Sequence, residues 1–551
     1  MSKRISRASF LKGAGALFWS LASGNWLSGC STKLNFPVRW LGPSMAMGHA
    51  MRDKTLLPFD GEPKDKKTIY IIGGGIAGLS AGWWLKKNGF TDFQILELEK
   101  KVGGNSTSGS NKISKYPWGA HYVPVPNEES KHVREFFQEI GVIKGFADDG
   151  KAIYDELYLC HDPQERLFKD GSFQEGLVPH KGLQTDDKLQ TQRFFKTVEA
   201  LRYAKGADGK PAFAIPVDLS SQDEQYRSLD KISMAQWLAQ NKFDSKPLMW
   251  YVEYCCKDDY GANPETISAW AGLHYFAGRR GKAANGEHNT VVTWPEGNGF
   301  LVEKLREKLK DHIKTGEMVT QVSNSEGGLK ISTQSGESKQ AYNSEYAIFA
   351  SPRFLAGYLI KDYPKTLPGS PSRKEALSYA PWIVANITLS RIPPSRGVLP
   401  AWDNVSYYSE SLGYVNAAHQ NISTRSSSTV ITYYLPLTSF EPKTGRAKLL
   451  SDSPAKWLKH IIFDLDKMHP DIQTYIKEVE LWPWGHGMIR PTVGYIWGEN
   501  RQSMQTNLGN IYFAHSDMSG ISNFEEAQYQ GIKAAGHIME KLGHKSTLQN
   551  S

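Results

Sequence analysis

The stretch that most constrains this 551-residue chain is Gly73-Gly74-Gly75-Ile76-Ala77-Gly78, a G-x-G-x-x-G run between two segments of different periodicity. Before it, Thr68-Ile69-Tyr70-Ile71-Ile72 is apolar and β-branched, the pattern of a parallel strand buried on both faces. After it, Leu79, Ala81, Trp83, Trp84 and Leu85 follow a helical repeat, and Phe93-Gln94-Ile95-Leu96 reads as a second strand ending at Glu97. Each part has a mechanical purpose in gripping a dinucleotide. Gly73 permits a tight turn, Gly75 lets the backbone approach a pyrophosphate, and Gly78 lets the helix pack closely on the strand. Ile76 and Ala77 open a helix whose free N–H groups and partial positive charge face the phosphates. Glu97, about twenty residues further on, is placed to accept hydrogen bonds from the adenosine ribose.

Val102-Gly103-Gly104-Asn105-Ser106 follows that acid after a short spacer. Acid, spacer and Gly-Gly in this order resemble the flavin-containing amine oxidase superfamily, which includes monoamine and polyamine oxidases, protoporphyrinogen oxidase and the phytoene desaturases. In those proteins the Gly-Gly turn meets the phosphates of FAD; the residue after it is usually Arg, and here it is Asn105. Trp294-Pro295-Glu296-Gly297-Asn298-Gly299-Phe300, Tyr346-Ala347-Ile348-Phe349-Ala350-Ser351-Pro352 and the C-terminal Asn510-Ile511-Tyr512-Phe513-Ala514 carry the resemblance along the chain. The resemblance implies FAD as cofactor and an α/β fold: a two-domain, Rossmann-like FAD-binding fold of glutathione-reductase type with an interleaved α+β substrate domain. It further implies a backbone contact to adenine at Val319 and a carboxylate, Asp517, near the flavin pyrophosphate and ribityl chain. A final helix entered through Phe524-Glu525-Glu526-Ala527 would point its N-terminus at the flavin, where its dipole favours the negative charge of the reduced ring.

The domain expectation is discontinuous. Residues 66–130, 285–360 and 480–545 form the FAD domain, and residues 131–284 and 361–479 the substrate domain. The segment 187–280 leans helical and 380–440 leans towards strand. Flavin chemistry needs a substrate C–H held against the ring in a dry pocket. By the resemblance, Trp118-Gly119-Ala120-His121-Tyr122 runs past the flavin, and Trp482-Pro483-Trp484-Gly485-His486-Gly487-Met488 supplies one wall of an aromatic cage. His121 and His486 are candidate proton acceptors near neutral pH, and Trp484 and Tyr122 candidate cage walls. Amine oxidases of this type carry an aromatic residue just before the last helix; the matching position here is Asn523.

The first thirty residues read as an address. Lys3, Arg4 and Arg7 precede an apolar stretch too short and too rich in Gly and Ser to span a bilayer comfortably. It ends in Leu27-Ser28-Gly29-Cys30, which resembles the lipobox of bacterial lipoproteins, where the Cys is lipidated. Ser6-Arg7-Ala8-Ser9-Phe10-Leu11-Lys12 resembles a twin-arginine export signal with Ala8 in place of the second arginine. The expected location is the bacterial cell envelope, on the periplasmic side, lipid-anchored. Residues 31–65, with Pro37, Pro43, Pro58 and Pro63, read as an irregular arm. The net charge is +8, but no long Lys/Arg block argues for nucleic acid, and no nucleic-acid partner is expected. Cys30, Cys160, Cys255 and Cys256 have no metal-site spacing; they read as free thiols, and no metal is expected.

The function expected from all this is an FAD-dependent oxidoreductase of amine-oxidase type. It would oxidise a small or apolar molecule by hydride transfer, with O2 or a membrane electron carrier as acceptor. A polyene or lipid desaturase or isomerase, and a non-catalytic flavin-bound assembly factor at the membrane, are the competing readings.

Overall fold

The strand Asp65–Ile72 divides its side chains between two cores, as a strand covered on both faces must. Ile69 and Ile71 pack with Leu79, Trp83 and Ile532 on one side. Tyr70 and Ile72 join the larger apolar cluster on the other. The computed structural model describes residues 35–544 apart from 54, 57, 288 and 422–426. The expected export segment and Cys30 lie outside the described residues.

Asp65–Ile72 sits inside a seven-stranded sheet, parallel to Phe93–Glu97 on one side and Ser338–Phe349 on the other. Ile511–Phe513 extends the parallel part beyond Ser338–Phe349, and Ile313–Thr315 extends it beyond Phe93–Glu97. Met318–Ser325, Gly328–Ser335 and the first half of Ser338–Phe349 form an antiparallel meander on the same sheet. The helix Ile76–Lys87 covers one face together with the final helix Phe524–Lys541. The two are in close contact at Gly531, where a Cβ would run into the Ala77 carbonyl. This is the expected α/β class, assembled from three separated stretches of chain.

The second sheet has eight strands, in the order Val38–Trp40, Ile476–Ile489, Tyr379–Leu389, Thr429–Pro436, Tyr414–Asn416, Asp403–Ser406, Glu165–Lys169 and Ser172–Glu175. Its centre is Tyr379–Leu389, buried at every position and antiparallel to both neighbours. The helix-leaning segment supplies Thr185–Arg202, Met234–Gln240, Lys246–Tyr260 and Ala269–Ala277, which cover this sheet's core. Cys160, Cys255 and Cys256 are free and buried.

Two sequence expectations change. Residues 31–65 are not an irregular arm throughout: Val38–Trp40 pairs in parallel with Ile476–Ile489, and Met45–Arg52 is helical. The sheet offers an open edge there, and Val38 and Trp40 are the β-branched and aromatic residues that suit it. A domain boundary at 480 also falls inside the single strand Ile476–Ile489, which belongs to the second sheet along its length.

Candidate functional site

The fingerprint turn closes through backbone geometry. The Gly73 N–H donates to the Leu96 carbonyl at 2.9 Å, and Gly73 takes φ +109°, a value only glycine adopts freely. A Cβ at Gly78 would run into the Gly73 carbonyl, so the helix is seated hard against the strand. At Gly75 the opposite holds: φ is −72° and nothing lies within 4 Å of where a Cβ would stand. That void faces the helix N-terminus. The Gly103 N–H donates to the Gly74 carbonyl at 2.8 Å, and Gly103 and Gly104, at φ +133° and +55°, bring a second glycine turn against the first.

Glu97 is buried, and its two oxygens accept the Gly74 and Glu99 N–H groups at 2.7 and 2.8 Å. Burial pushes its carboxyl above the usual range, with those two donors pulling it back. Val319 lies where the strand register breaks before Gln321, which interrupts the ladder at that point. Gly73, Gly75, Ile76, Ala77, Glu97, Gly103, Gly104, Asn105 and Val319 all line one cavity of about 1310 Å³. An ordinary small-ligand pocket holds roughly 300–1,000 Å³, so this one has room for a dinucleotide and a second molecule. Open space at Gly75, two glycine turns and an acid one strand over fit FAD. Asn105, in the place of the family's arginine, donates to the Gly487 carbonyl, tying the second glycine turn to the other sheet.

Phe524, Glu525 and Ala527 line the same cavity from the final helix. Asn523 is its N-cap and accepts the Glu526 N–H at 2.8 Å, which explains a small polar residue where the resemblance implied an aromatic one. Burial pushes the Glu525 carboxyl up to about 7 and that of Glu526 up to about 8. First-turn acids that hold their protons do not cancel the positive end of the helix dipole. Asp517 departs from expectation. It is fully buried outside the cavity lining, where it accepts the Arg353 N–H at 2.7 Å and the Tyr379 hydroxyl at 2.6 Å. Its neighbours His515 and Ser516 face the cavity instead.

The candidate catalytic residues do line the cavity, yet the two histidines are poor bases. Burial holds His121 at about 4, its ring stacked on Tyr434 at 4.6 Å. Enclosure, then Arg446 and His49, hold His486 at about 3, stacked on Phe354 at 4.4 Å. Neither is the proton acceptor near neutral pH that the sequence suggested. Trp484 gives its indole N–H to the Trp118 carbonyl at 2.6 Å, which anchors the ring beside Trp482. The rings gathered around His121 are Tyr434, Tyr122 and Trp402.

Sequence reasoning missed the polar end of the cavity. Asp258 and Asp259 close the helix Lys246–Tyr260, and Arg279 follows the helix Ala269–Ala277; all three line the cavity. Arg279 donates to Asp259 at 2.5 Å, and the Tyr122 hydroxyl donates to Asp258 at 3.3 Å. Burial and the neighbouring Asp259 push Asp258 up to about 7. A signal was present. Two acids in a helix's last turn oppose the dipole, and a sequence accepts that cost for a reason other than helix stability. Among the described residues, no group of three or more His, Cys, Asp or Glu is placed to hold a metal ion.

A family model described as flavin containing amine oxidoreductase matches residues 76–539. An L-amino acid dehydrogenase of Synechocystis sp. is 27% identical over 308 residues, which cover 54% of this chain and 58% of that protein. The match thus spans less than two thirds of that relative. A protein named probable flavin-containing monoamine oxidase A, from Dictyostelium discoideum, is 21% identical over 86% of this chain and 98% of its own length. Among solved structures, wild-type putrescine oxidase bound to putrescine matches with a TM-score of 0.62 at 15% identity, over 86% of this chain and 99% of that one. That likeness is one of fold.

Proposed function

The chain belongs to the flavin-containing amine oxidoreductase family and is an FAD-dependent oxidoreductase, and on that premise we propose that it oxidises an amine taken up as the neutral base. The observation that supports this most is one cavity with a dinucleotide cradle at Gly75 and a wall of rings and carboxylates at His121, Tyr122, Tyr434 and Asp258. FAD, when bound, supplies the hydride acceptor.

The chain's own residues do the rest. Gly73–Gly75 and Gly103–Gly104 would present backbone to the pyrophosphate, Glu97 would accept from the ribose, and Val319 would offer backbone to the adenine. The Asn523-capped helix would turn its positive end to the flavin. Tyr122, Tyr434 and the His121 ring strip water from the incoming amine. His121 and His486, neutral at pH 7, add no positive charge that would repel it. A polyene or lipid-like substrate suits this wall poorly, because an apolar chain laid against Asp258 and Asp259 leaves their charge unsolvated.

Anaerobic mixing of the yellow holoprotein with monoamines, polyamines and amino acids tests the reading. Bleaching by at least one amine is expected; persistent colour with all of them removes it. The electron acceptor is O2 or a membrane carrier, and the rate of colour return in air against that with a water-soluble quinone separates the two. We place the protein in the cell envelope, exported by a twin-arginine-like leader and anchored through lipid on Cys30. The sequence Leu27-Ser28-Gly29-Cys30 supports that placement. Cys30→Ser is expected to move the protein from the membrane pellet to the supernatant; unchanged sedimentation removes the anchor.

A further inference from the structure

We propose that Ser44 is a positioning residue of the cofactor site, and that the segment Val38–Arg52, which carries it, forms an outer wall that holds FAD in the cavity. The inference concerns the cofactor and not the substrate, so it is independent of amine oxidation.

The segment is fixed at two points that belong to different sheets. At its start, Val38–Trp40 pairs with residues 479–481 of the eight-stranded sheet, and the Leu41 N–H donates to the Leu481 carbonyl at 2.8 Å. Arg39 adds an ion pair to Glu480. Further on, Ser44 donates twice to Glu99: its N–H to Oε1 at 2.7 Å and its hydroxyl to Oε2 at 2.9 Å. Glu99 lies two residues beyond the end of Phe93–Glu97 in the seven-stranded sheet, and its own N–H donates to the Glu97 carboxylate at 2.8 Å. The chain therefore runs from one sheet to the other, and its second anchor holds the acid assigned to the ribose.

The helix Met45–Arg52 starts at that anchor. Met45, Gly48, His49 and Arg52, spaced i, i+3, i+4 and i+7, make one stripe, and the whole stripe lines the cavity together with Leu41, Pro43 and Ser44. Most of the helix is Met or Ala, yet none of its residues is buried. A helix this short is not stable by itself, and this one has no buried face to hold it. The strand before it and the bonds to Glu99 fix it in place. Ser44 shows where that hold comes from. It is the N-cap, where a serine oxygen ordinarily accepts an N–H from the first turn of its own helix. Here the side chain makes no cap bond, and the hydroxyl is given to Glu99 instead. The Glu99 carboxylate so placed stands at the positive end of the helix, which strengthens the anchor. Ser44 thus acts at one remove from FAD: it fixes Glu99, whose N–H orients Glu97, and it keeps the helix over the cavity.

The test reads FAD exchange, not turnover. Timed desalting of the yellow holoprotein gives the release rate, and quenching of flavin fluorescence on mixing apoprotein with FAD gives the uptake rate. Ser44→Ala is expected to release FAD at least about tenfold faster, the worth of one hydrogen bond to a charged group, with uptake no slower than in the wild type. Ser44→Thr keeps both donors and is expected to release FAD within about twofold of the wild-type rate. Release at the wild-type rate from Ser44→Ala would overturn the proposal, as would equal acceleration in the two variants. Faster release joined to slower uptake would assign Ser44 to the stability of the fold and overturn it too. Should Ser44→Ala fail to fold, amide hydrogen exchange in the wild type decides. Residues 44–52 are expected to exchange at least about tenfold more slowly in the holoprotein than in the apoprotein. Equal exchange there, with the helix Ile76–Lys87 protected by FAD, would overturn the outer wall.

Discussion

The two ends of the cavity are made of different material. At the end we assign to the nucleotide the lining is defined by main-chain features: the turns at Gly73–Gly75 and Gly103–Gly104, the register break at Val319 and the start of the final helix. At the polar end it is defined by side chains: Tyr122, Asp258, Arg279 and Tyr434, delivered by four separate elements or loops. A backbone-made site demands particular residues in a particular local order, since only glycine permits the turn. A side-chain site demands only that distant elements converge. The first therefore tolerates little change, whereas the second can be redrawn for a new substrate without disturbing the first.

The largest expected effect tests that separation at its strongest point. Gly75→Leu adds a side chain where φ suits any residue and where space is open, so the fold survives and the cradle is filled. Purified protein is expected to be colourless, with FAD affinity more than about 100-fold weaker and an unchanged circular dichroism spectrum. A yellow Gly75→Leu protein would mean that the pyrophosphate does not lie there. Asp258→Asn is the converse: full flavin content is expected, and loss of colour would show that the two ends are not independent.

Glu97→Ala is intermediate, because Glu97 is a side chain that supports the backbone-made end. Removing it takes away a charged acceptor for ribose and the partner of the Gly74 and Glu99 N–H groups. FAD binding is expected to weaken by roughly 1–3 kcal/mol. Equilibrium dialysis measures it, and an unchanged dissociation constant would confine Glu97 to propping the turn.

The same difference in material governs what could be read from the sequence. The strand before Gly73, the helix after Gly78 and the strand ending at Glu97 fall where periodicity put them, as Asp65–Ile72, Ile76–Lys87 and Phe93–Glu97. Each is defined by residues adjacent in the chain. The strand Val38–Trp40 was missed because three residues carry no period, and its existence depends on an edge supplied by residues 479–481. Asp517 was misplaced for a related reason. Position in a motif fixes where its backbone runs, but the side chain turned inward to Tyr379, a residue some 140 positions away whose approach no local pattern records. Asp259 and Arg279 meet only because two helices pack, so neither announces the other. Asn523 was noted as a departure and proved legible after all, since a small polar residue before a helix is a cap.

The smallest effect concerns the seam between the two ends. Glu526 is fully buried in the first turn of the final helix, accepting the Val217 N–H at 2.6 Å, and its carboxyl is pushed up to about 8. The folded protein thus binds this proton more tightly than the unfolded chain, whose carboxyl titrates near 4.5. Between those values the native state carries the extra proton, so this group makes stability fall as pH rises from about 4.5 to about 8. Glu526→Gln keeps the shape and the acceptor for Val217 but cannot ionise. Its melting temperature is expected to match the wild type at pH 5 and to exceed it by a few °C at pH 9, since a displacement of this size is worth at most about 5 kcal/mol. A constant offset at both pH values would assign the effect to packing. A loss at pH 9 would mean that the ionised carboxylate is held by a donor, and that the start of the final helix is more negative than the Asn523-capped geometry implies.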